Sequence, residues 1–226
     1  MDNRGKIMSN GILYIAFGDR FLKEVEYSIS TVKKIHPNLS ITLFTDKPYS
    51  NKNINNIILK NLKGTRVKQQ YLLDSPYENT LYMDSDTSVV GEIEEIFGLM
   101  DRFDIAATHD LIRKHDKKSK VYPDYANIPD GFPEYAGGVI LFRKSAAISN
   151  FFEVWRKNFK IWCDLSGVVK DQPSFRVSLW QCKDLHIHTL PPEFNIRSKN
   201  YHNITPRIYH WHNMSDKNLK GGNIWL

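Results

Sequence analysis

The 226-residue chain reads as α/β: a central, mostly parallel sheet flanked by helices. Three observations predict this. Apolar runs of strand length alternate with segments of helical periodicity. The first of these runs is continuously apolar, as parallel strands buried on both faces are. No internal repeat, low-complexity linker or shift of composition divides the sequence. Hydrophobic residues make up 41% and charged residues 25%, ordinary for a chain that buries a core.

Residues 1–10 read as a polar, flexible tail and 11–226 as one domain. Ile12 to Phe17 is the first predicted strand, and Gly18-Asp19 a turn with Asp19 placed to cap a helix. Leu22, Val25, Ile29 and Val32 recur at helical spacing up to His36-Pro37. Ser40 to Asp46 is a second strand, closed by Lys47-Pro48, and Asn53 to Leu59 a third. Thr65 to Leu73 reads as a helix leading into the strand Thr80-Leu81-Tyr82-Met83. Glu92 to Met100 is a short helix and Asp104 to Thr108 a strand. The polar stretch from His109 to Glu134 holds Pro123, Pro129, Gly131 and Pro133; a loop of this length in a compact domain is commonly functional. Gly137 to Phe142 is strand-like. Ile148, Phe151, Phe152, Trp155, Phe159 and Trp162 mark an amphipathic helix whose aromatic stripe is core packing rather than a ligand box. Gln172 to Gln181 is a helix that Asp171 starts, and strands around His186–Leu190 and Ile208–Trp211 follow.

Net charge is +6, with an isoelectric point near 9.1. That suits an anionic small substrate such as a nucleotide. The basic residues are scattered, which argues against nucleic acid; the one dense run, Arg113 to Lys120, reads as a solvated loop. Cys163 and Cys182 alone exclude a disulfide scaffold and suit a reducing compartment. The first ten residues carry no signal-type apolar core, and no stretch approaches the roughly 20 apolar residues a bilayer span needs. The expectation is a soluble, cytoplasmic protein without a transmembrane segment.

The chemistry concentrates at Asp84-Ser85-Asp86, directly after Leu81-Tyr82-Met83. A buried strand that ends in two carboxylates needs a partner for them, since an unpaired buried charge is costly or is neutralised. Carboxylates i and i+2 on extended backbone point to one side and can share a hard divalent cation. Ligands of open parallel sheets sit at strand carboxyl ends, here Phe17-Gly18, Thr45-Asp46 and Asp84-Ser85-Asp86. Three functions compete. One is a phosphatase of the haloacid dehalogenase type, with Asp84 attacking phosphorus and Asp86 handling protons. Such chains usually carry this motif on their first strand, with a later acidic pair; neither holds here. Another is sugar transfer from a nucleotide diphosphate donor, whose departing diphosphate a cation neutralises. The third is a non-catalytic nucleotide- or carbohydrate-binding module.

From about Gly11 onward the chain resembles the GT-A (Rossmann-like) glycosyltransferases, most of all the retaining glycogenin-like and lipopolysaccharide galactosyltransferase-like family. Six segments carry the resemblance, in order: Arg66-Val67-Lys68, Tyr82 to Asp86, Ala136 to Leu141, Asp171-Gln172, Phe194-Asn195 and Ile208 to Trp211. The chain departs from the pattern at Gly18, at Ala136, where the family has a sugar-contacting Asn, and after Met214, where Lys217 and Lys220 stand without the family's Pro-Trp ending.

The resemblance implies a nucleotide-binding part at about 11–108 and an acceptor and catalytic part at about 109–226. It implies that Asp84, Asp86 and His210 hold Mn²⁺ or Mg²⁺, with His212 the alternative histidine. Mixed oxygen and imidazole ligation favours Mn²⁺. Arg66 and Lys68 would face the diphosphate or donor sugar, with Ser85 and Lys217 also on the donor; Phe17, Gly18 and Asp46 would border the nucleotide. Gln172 would lie near the anomeric carbon and Asp171 would hold donor hydroxyls, besides capping its helix. The implied reaction is retaining transfer from a UDP-hexose to a glycan or glycoconjugate. An inverting enzyme would instead need a general base, for which Asp110, Asp130 and Glu134 are placed. The 109–134 loop is expected on the acceptor side, ordering when donor binds. Tyr122, Tyr125, Phe132 and Tyr135 either stack on sugars there or pin the loop to the domain.

Overall fold

A computed structural model describes residues 8–61, 68–110, 114, 116–197 and 204–211. The strands are β1 (Met8–Ile15), β2 (Ile41–Thr45), β3 (Asn56–Leu59), β4 (Tyr77–Met83), β5 (Thr87–Val89), β6 (Ile105–His109), β7 (Tyr135–Arg143), β8 (Ile187–Leu190) and β9 (Ile208–His210). The helices are α1 (Asp19–Ile35), α2 (Lys68–Tyr71), α3 (Asp116–Ser119), α4 (Pro123–Ala126), α5 (Ala146–Ser166) and α6 (Gln172–Gln181). Seven strands form one sheet in the order β3-β2-β1-β4-β7-β6-β8, and β5 pairs with β9 in a small antiparallel ribbon. Every pairing in the large sheet is parallel except those of β7, which runs antiparallel to β4 and β6.

The continuous apolar runs follow from burial on both faces. Successive strand residues point to opposite sides, so each strand feeds two cores. Ile12, Tyr14, Leu81, Met83, Val139 and Leu141 pack with Leu22, Val25, Ile29 and Val32 of α1. Leu13, Phe44, Tyr82, Ile140 and Phe142 pack with Phe151, Phe152, Trp155 and Phe175 of α5 and α6. The aromatic stripe of α5 is therefore core, with Trp155 and Phe175 centroids 4.5 Å apart. Ser145 caps α5 by accepting from the Ile148 amide at 3.1 Å, and Gly167, at φ 66°, ends it.

Several elements differ from the sequence expectation. β1 begins at Met8, inside the stretch read as tail, and pairs with β4 from there. The N-cap of α1 is Gly18, at φ 81° and ψ 161°, a region closed to side chains; Asp19 makes no cap bond and meets Lys47 instead. Of the predicted 65–73 helix, the described part is the single turn α2 followed by a 3₁₀ turn, Leu72–Asp74. The 92–100 helix is a 3₁₀ segment, Glu94–Asp101. The 109–134 loop holds two one-turn helices, α3 and α4. Within the basic run, Lys117 and Lys120 are exposed, but Lys114 and Lys118 turn inward onto loop carbonyls and Glu134. Cys163 and Cys182 are both free thiols. Among the described residues no helix is long and apolar enough to cross a membrane.

Because β7 is antiparallel, its first residues lie at the edge where β4 and β6 end. Its last residue, Arg143, closes the opposite edge by gripping buried Asp104 through Nε and Nη2 at 3.0 and 2.9 Å. Burial alone would raise the Asp104 carboxyl. The His186 amide and the Arg143 guanidinium outweigh it and hold the group below its usual value. A depressed carboxylate pKa contributes stability above the unfolded value of 3.8, lost as pH falls through the folded one. Asp104→Asn is therefore expected to lower Tm near pH 7, with the gap to wild type closing below about pH 4; thermal melts across that range check this.

Candidate metal centre and substrate cavity

β4 ends at Met83, and the chain turns sharply through Asp84-Ser85-Asp86 before β5. Neighbours on three sides hold this turn. The Asp84 amide donates to the Gly138 carbonyl at 2.8 Å. The Thr87 hydroxyl donates to the Asp84 carbonyl at 2.8 Å, and a hydroxyl chain runs from Thr87 through Ser28 to Tyr14. The Ser85 hydroxyl donates to Glu24 of α1 at 3.0 Å. Glu24 is buried; burial raises its carboxyl, and the nearby Asp86 charge pushes the same way against the Ser85 bond.

β9 delivers the histidine. His210 lies opposite Thr87 in the ribbon, and the Trp211 amide donates to the Asp86 carbonyl at 2.9 Å. One ligand atom each from Asp84, Asp86 and His210 lie within 4.8 Å of one another. His210 Nε2 is 3.2 Å from Asp86 Oδ1 and 3.7 Å from Asp84 Oδ2. Its other nitrogen, Nδ1, sits 3.1 Å from Asn195 Oδ1. The Asn195 amide nitrogen is spent on Thr108 Oγ1 at 3.1 Å, so its oxygen faces the ring and Nδ1 must donate. With Nδ1 so engaged, Nε2 is the nitrogen that faces the two carboxylates. Three converging electron-pair donors of this kind fit a divalent cation. Asn195→Ala frees the ring to rotate and is expected to weaken Mn²⁺ binding by about 10–100-fold without unfolding the chain; titration with Mn²⁺ checks this.

Beside the carboxylates lies Lys68, the first residue of α2 and buried. Its ammonium is 2.9 Å from Asp84 Oδ1 and 3.0 Å from Asp171 Oδ2, and it also donates to the Gly137 carbonyl. Burial works to lower the lysine; the Asp171 and Asp84 charges overturn that and hold it above its usual value. The Tyr82 hydroxyl also donates to Asp84, and burial with that charge pushes the phenol well up. Asp171 precedes α6 but makes no cap bond, because its carboxylate is turned to Lys68. Gln172 Nε2 donates to Asp110 Oδ2 at 2.7 Å, and Arg197 Nη1 reaches the same oxygen at 3.0 Å.

Apart from Tyr82, these groups line one cavity of about 380 Å³ together with the three candidate metal ligands, and Lys118, Glu134, Gly137, Gly138 and Lys170 complete its wall. It gathers Lys68, Asp84, Asp86, Asp171, Gln172 and His210 from the sequence-predicted set. Phe17, Gly18 and Asp46 do not line it. They sit together where β1 and β2 end, the Gly18 amide donating to Asp46 at 3.0 Å and Phe17 facing Tyr71 at 6.1 Å. Ser85 is turned to Glu24. Arg66, His212 and Lys217 lie outside the described residues. Of the base candidates, Asp110 and Glu134 reach the cavity; Asp130 is exposed and paired with Lys114. Tyr122, Tyr125 and Tyr135 are buried, which makes them pins of the loop; Phe132 packs on Trp180 and Tyr135.

Sequence reading missed Asp110 as the partner of Gln172, and also Arg197, Lys170 and Tyr82. Tyr82 had a signal, since it stands two residues before Asp84 on the same strand face. Asp110 and Arg197 had none, being 62 and 87 positions from the groups they meet.

No protein-family model and no curated protein sequence matches the chain. Solved structures do. A structure of the galactosyltransferase LgtC with donor and acceptor sugar analogues superposes with a TM-score of 0.62 at 15% identity, covering 90% of this chain and 87% of that one. GlyE, a glycosyltransferase of Streptococcus pneumoniae, gives 0.62 at 14% identity, over 94% of this chain and 56% of its own. The bifunctional glycosyltransferase WbbM gives 0.59 at 14%, over 94% and 47%. The mostly parallel sheet, the acidic turn at the end of β4 and this likeness agree, and the chain has the GT-A fold.

Proposed function

We propose that this protein is a metal-dependent glycosyltransferase that moves a hexose from a UDP-hexose to a hydroxyl of a glycan or glycoconjugate, with retention at the anomeric carbon. The observation that carries the reading is the convergence of Asp84, Asp86 and His210 on a cavity whose other wall presents Asp171 and Gln172. A Mn²⁺ or Mg²⁺ held by those three side chains would neutralise the departing diphosphate. Phe17, Gly18 and Asp46, at the ends of β1 and β2, border the nucleotide; Arg66, Lys217 and the backbone at Ser85 complete the donor contacts. Lys68 pairs with both Asp84 and Asp171 and holds the two side chains in place, so Asp171 is positioned to accept donor hydroxyls. Gln172, oriented by Asp110, faces the sugar. Residues 109–134 border the acceptor. The free thiols of Cys163 and Cys182 suit a cytoplasmic enzyme.

Against the phosphatase reading, Asp84 Oδ1 is engaged by both Lys68 and Tyr82, which suits a held ligand better than a nucleophile. The test is thermal stability and hydrolysis with UDP-glucose and UDP-galactose, each with and without Mn²⁺. A donor at 100 times its dissociation constant stabilises by about 2.7 kcal/mol. Absence of both a shift and sugar release under every condition would sink the proposal. Phosphate release from a simple phosphomonoester would point to the phosphatase.

A further inference from the structure

We propose that Arg176 is a positioning residue that fastens the wall carrying Glu134 and Lys118 to α6, so that this side of the cavity stands formed before any substrate binds. Naming that wall the acceptor side rests on the proposed function.

Arg176 is a fully buried cation one turn into α6 from Gln172. Its guanidinium is given to backbone carbonyls of one loop. Nε donates to the Phe132 carbonyl at 3.2 Å, Nη1 to Tyr125 at 3.2 Å, and Nη2 to Pro129 at 3.0 Å and Phe132 at 2.7 Å. It also lies over the Tyr125 ring, 4.7 Å from the centroid. Lys114 takes two more carbonyls of the same segment, Ala126 at 2.7 Å and Ile128 at 3.0 Å. Buried carbonyls need donors, and this irregular segment obtains them from two cations. The guanidinium reaches these three carbonyls from three separate nitrogens in one plane, a spread that an ammonium, with its three N–H groups on a single nitrogen, does not have.

The bonds close a circuit on α6. Arg176 holds the Tyr125 carbonyl, and the Tyr125 hydroxyl donates to Glu134. The Glu134 carbonyl accepts from the Asp110 amide at 2.6 Å, and the Asp110 carboxylate accepts from Gln172, back on α6. Glu134, Asp110 and Gln172 all line the cavity. Glu134, Asp110 and the Gln172 amide thus share one frame. On this proposal the loop stands ordered without donor, the alternative to a loop that orders when donor binds.

Hydrogen–deuterium exchange on the full chain tests this, in wild type, Arg176→Lys and Arg176→Met, each with and without Mn²⁺ plus UDP. In wild type the amides of 125–135 are expected to be protected without ligand, and Mn²⁺ with UDP slows them by less than about threefold. In Arg176→Lys, which keeps the charge and loses the fork, they exchange more than about threefold faster, while β1, β4 and α5 stay as in wild type. UDP affinity with Mn²⁺ is expected to stay unchanged, since Phe17, Gly18 and Asp46, the proposed nucleotide border, do not line the cavity that this wall closes. Three results overturn the proposal: ligand slowing the wild-type loop beyond that limit, unchanged loop exchange in Arg176→Lys, or faster exchange across the whole chain in both variants. Wild type that binds no UDP would sink the glycosyltransferase reading and leave the exchange comparison able to decide the role of Arg176.

Discussion

Asp86→Ala is expected to remove metal-dependent turnover while the chain stays folded. Asp86 Oδ1 stands 3.2 Å from His210 Nε2 and supplies one corner of the three-sided site. A cation acting as Lewis acid contributes several kcal/mol to stabilising a leaving diphosphate, so losing a ligand corresponds to roughly 10²–10⁴-fold in kcat/KM. Stability should move by less than about 1 kcal/mol, because removing one of two converging carboxylates also removes their repulsion. UDP-sugar hydrolysis with and without Mn²⁺, beside a melting curve, separates the two effects. Wild-type turnover in the folded variant would show that the acidic turn is not the metal site. A collapsed Tm would instead make Asp86 a structural residue.

The second large effect is expected from Gly138→Ala, set against Gly137→Ala. A Cβ at Gly138 would clash with Cε1 and Nδ1 of the His210 ring, whereas one at Gly137 would meet Asp171 Oδ2 and Lys68 Nζ at an ordinary 3.6 Å. The imidazole packs closely against the bare backbone of Gly138, whose carbonyl also receives the Asp84 amide. The alanine at 138 must displace the ring from Asn195 or push β7 away from the acidic turn. Overpacking of this kind costs about 1–3 kcal/mol, and a displaced ligand costs about 10–100-fold in metal affinity. Gly137→Ala is expected to bind Mn²⁺ nearly as wild type. Equal behaviour of the two variants, by Mn²⁺ titration and thermal melts, would show that His210 does not depend on this close approach.

The acidic turn was legible because it breaks a local rule. Two carboxylates after Leu81-Tyr82-Met83 contradict the burial of that strand unless something positive meets them. Lys68, Asp171, Gln172 and His210 were reached only through ordered resemblance, since nothing in their own neighbourhoods marks them. Arg176 was passed over altogether. On its helix it reads as one polar residue among several, and only the loop folded over it shows that its charge is buried. The same holds for Lys114 and Lys118. A run of basic residues looks solvated until the carbonyls and the carboxylate that receive it are in place.

By itself, then, the sequence determined what depends on near neighbours: strands buried on both faces, the stripes of α1 and α5, and the paired carboxylates at the end of β4. Those follow from a side-chain period of two or of 3.6, which a reader of the chain can count. The tertiary structure alone decided that β7 runs against its neighbours and so brings Gly137 and Gly138 to the acidic turn. It also decided that β5 leaves the sheet to fetch His210, and that Arg176 ties the loop to the helix of Gln172. Each of these is a pairing between segments far apart in the chain, set by which surfaces fit once the core has formed, and local patterning carries no record of it.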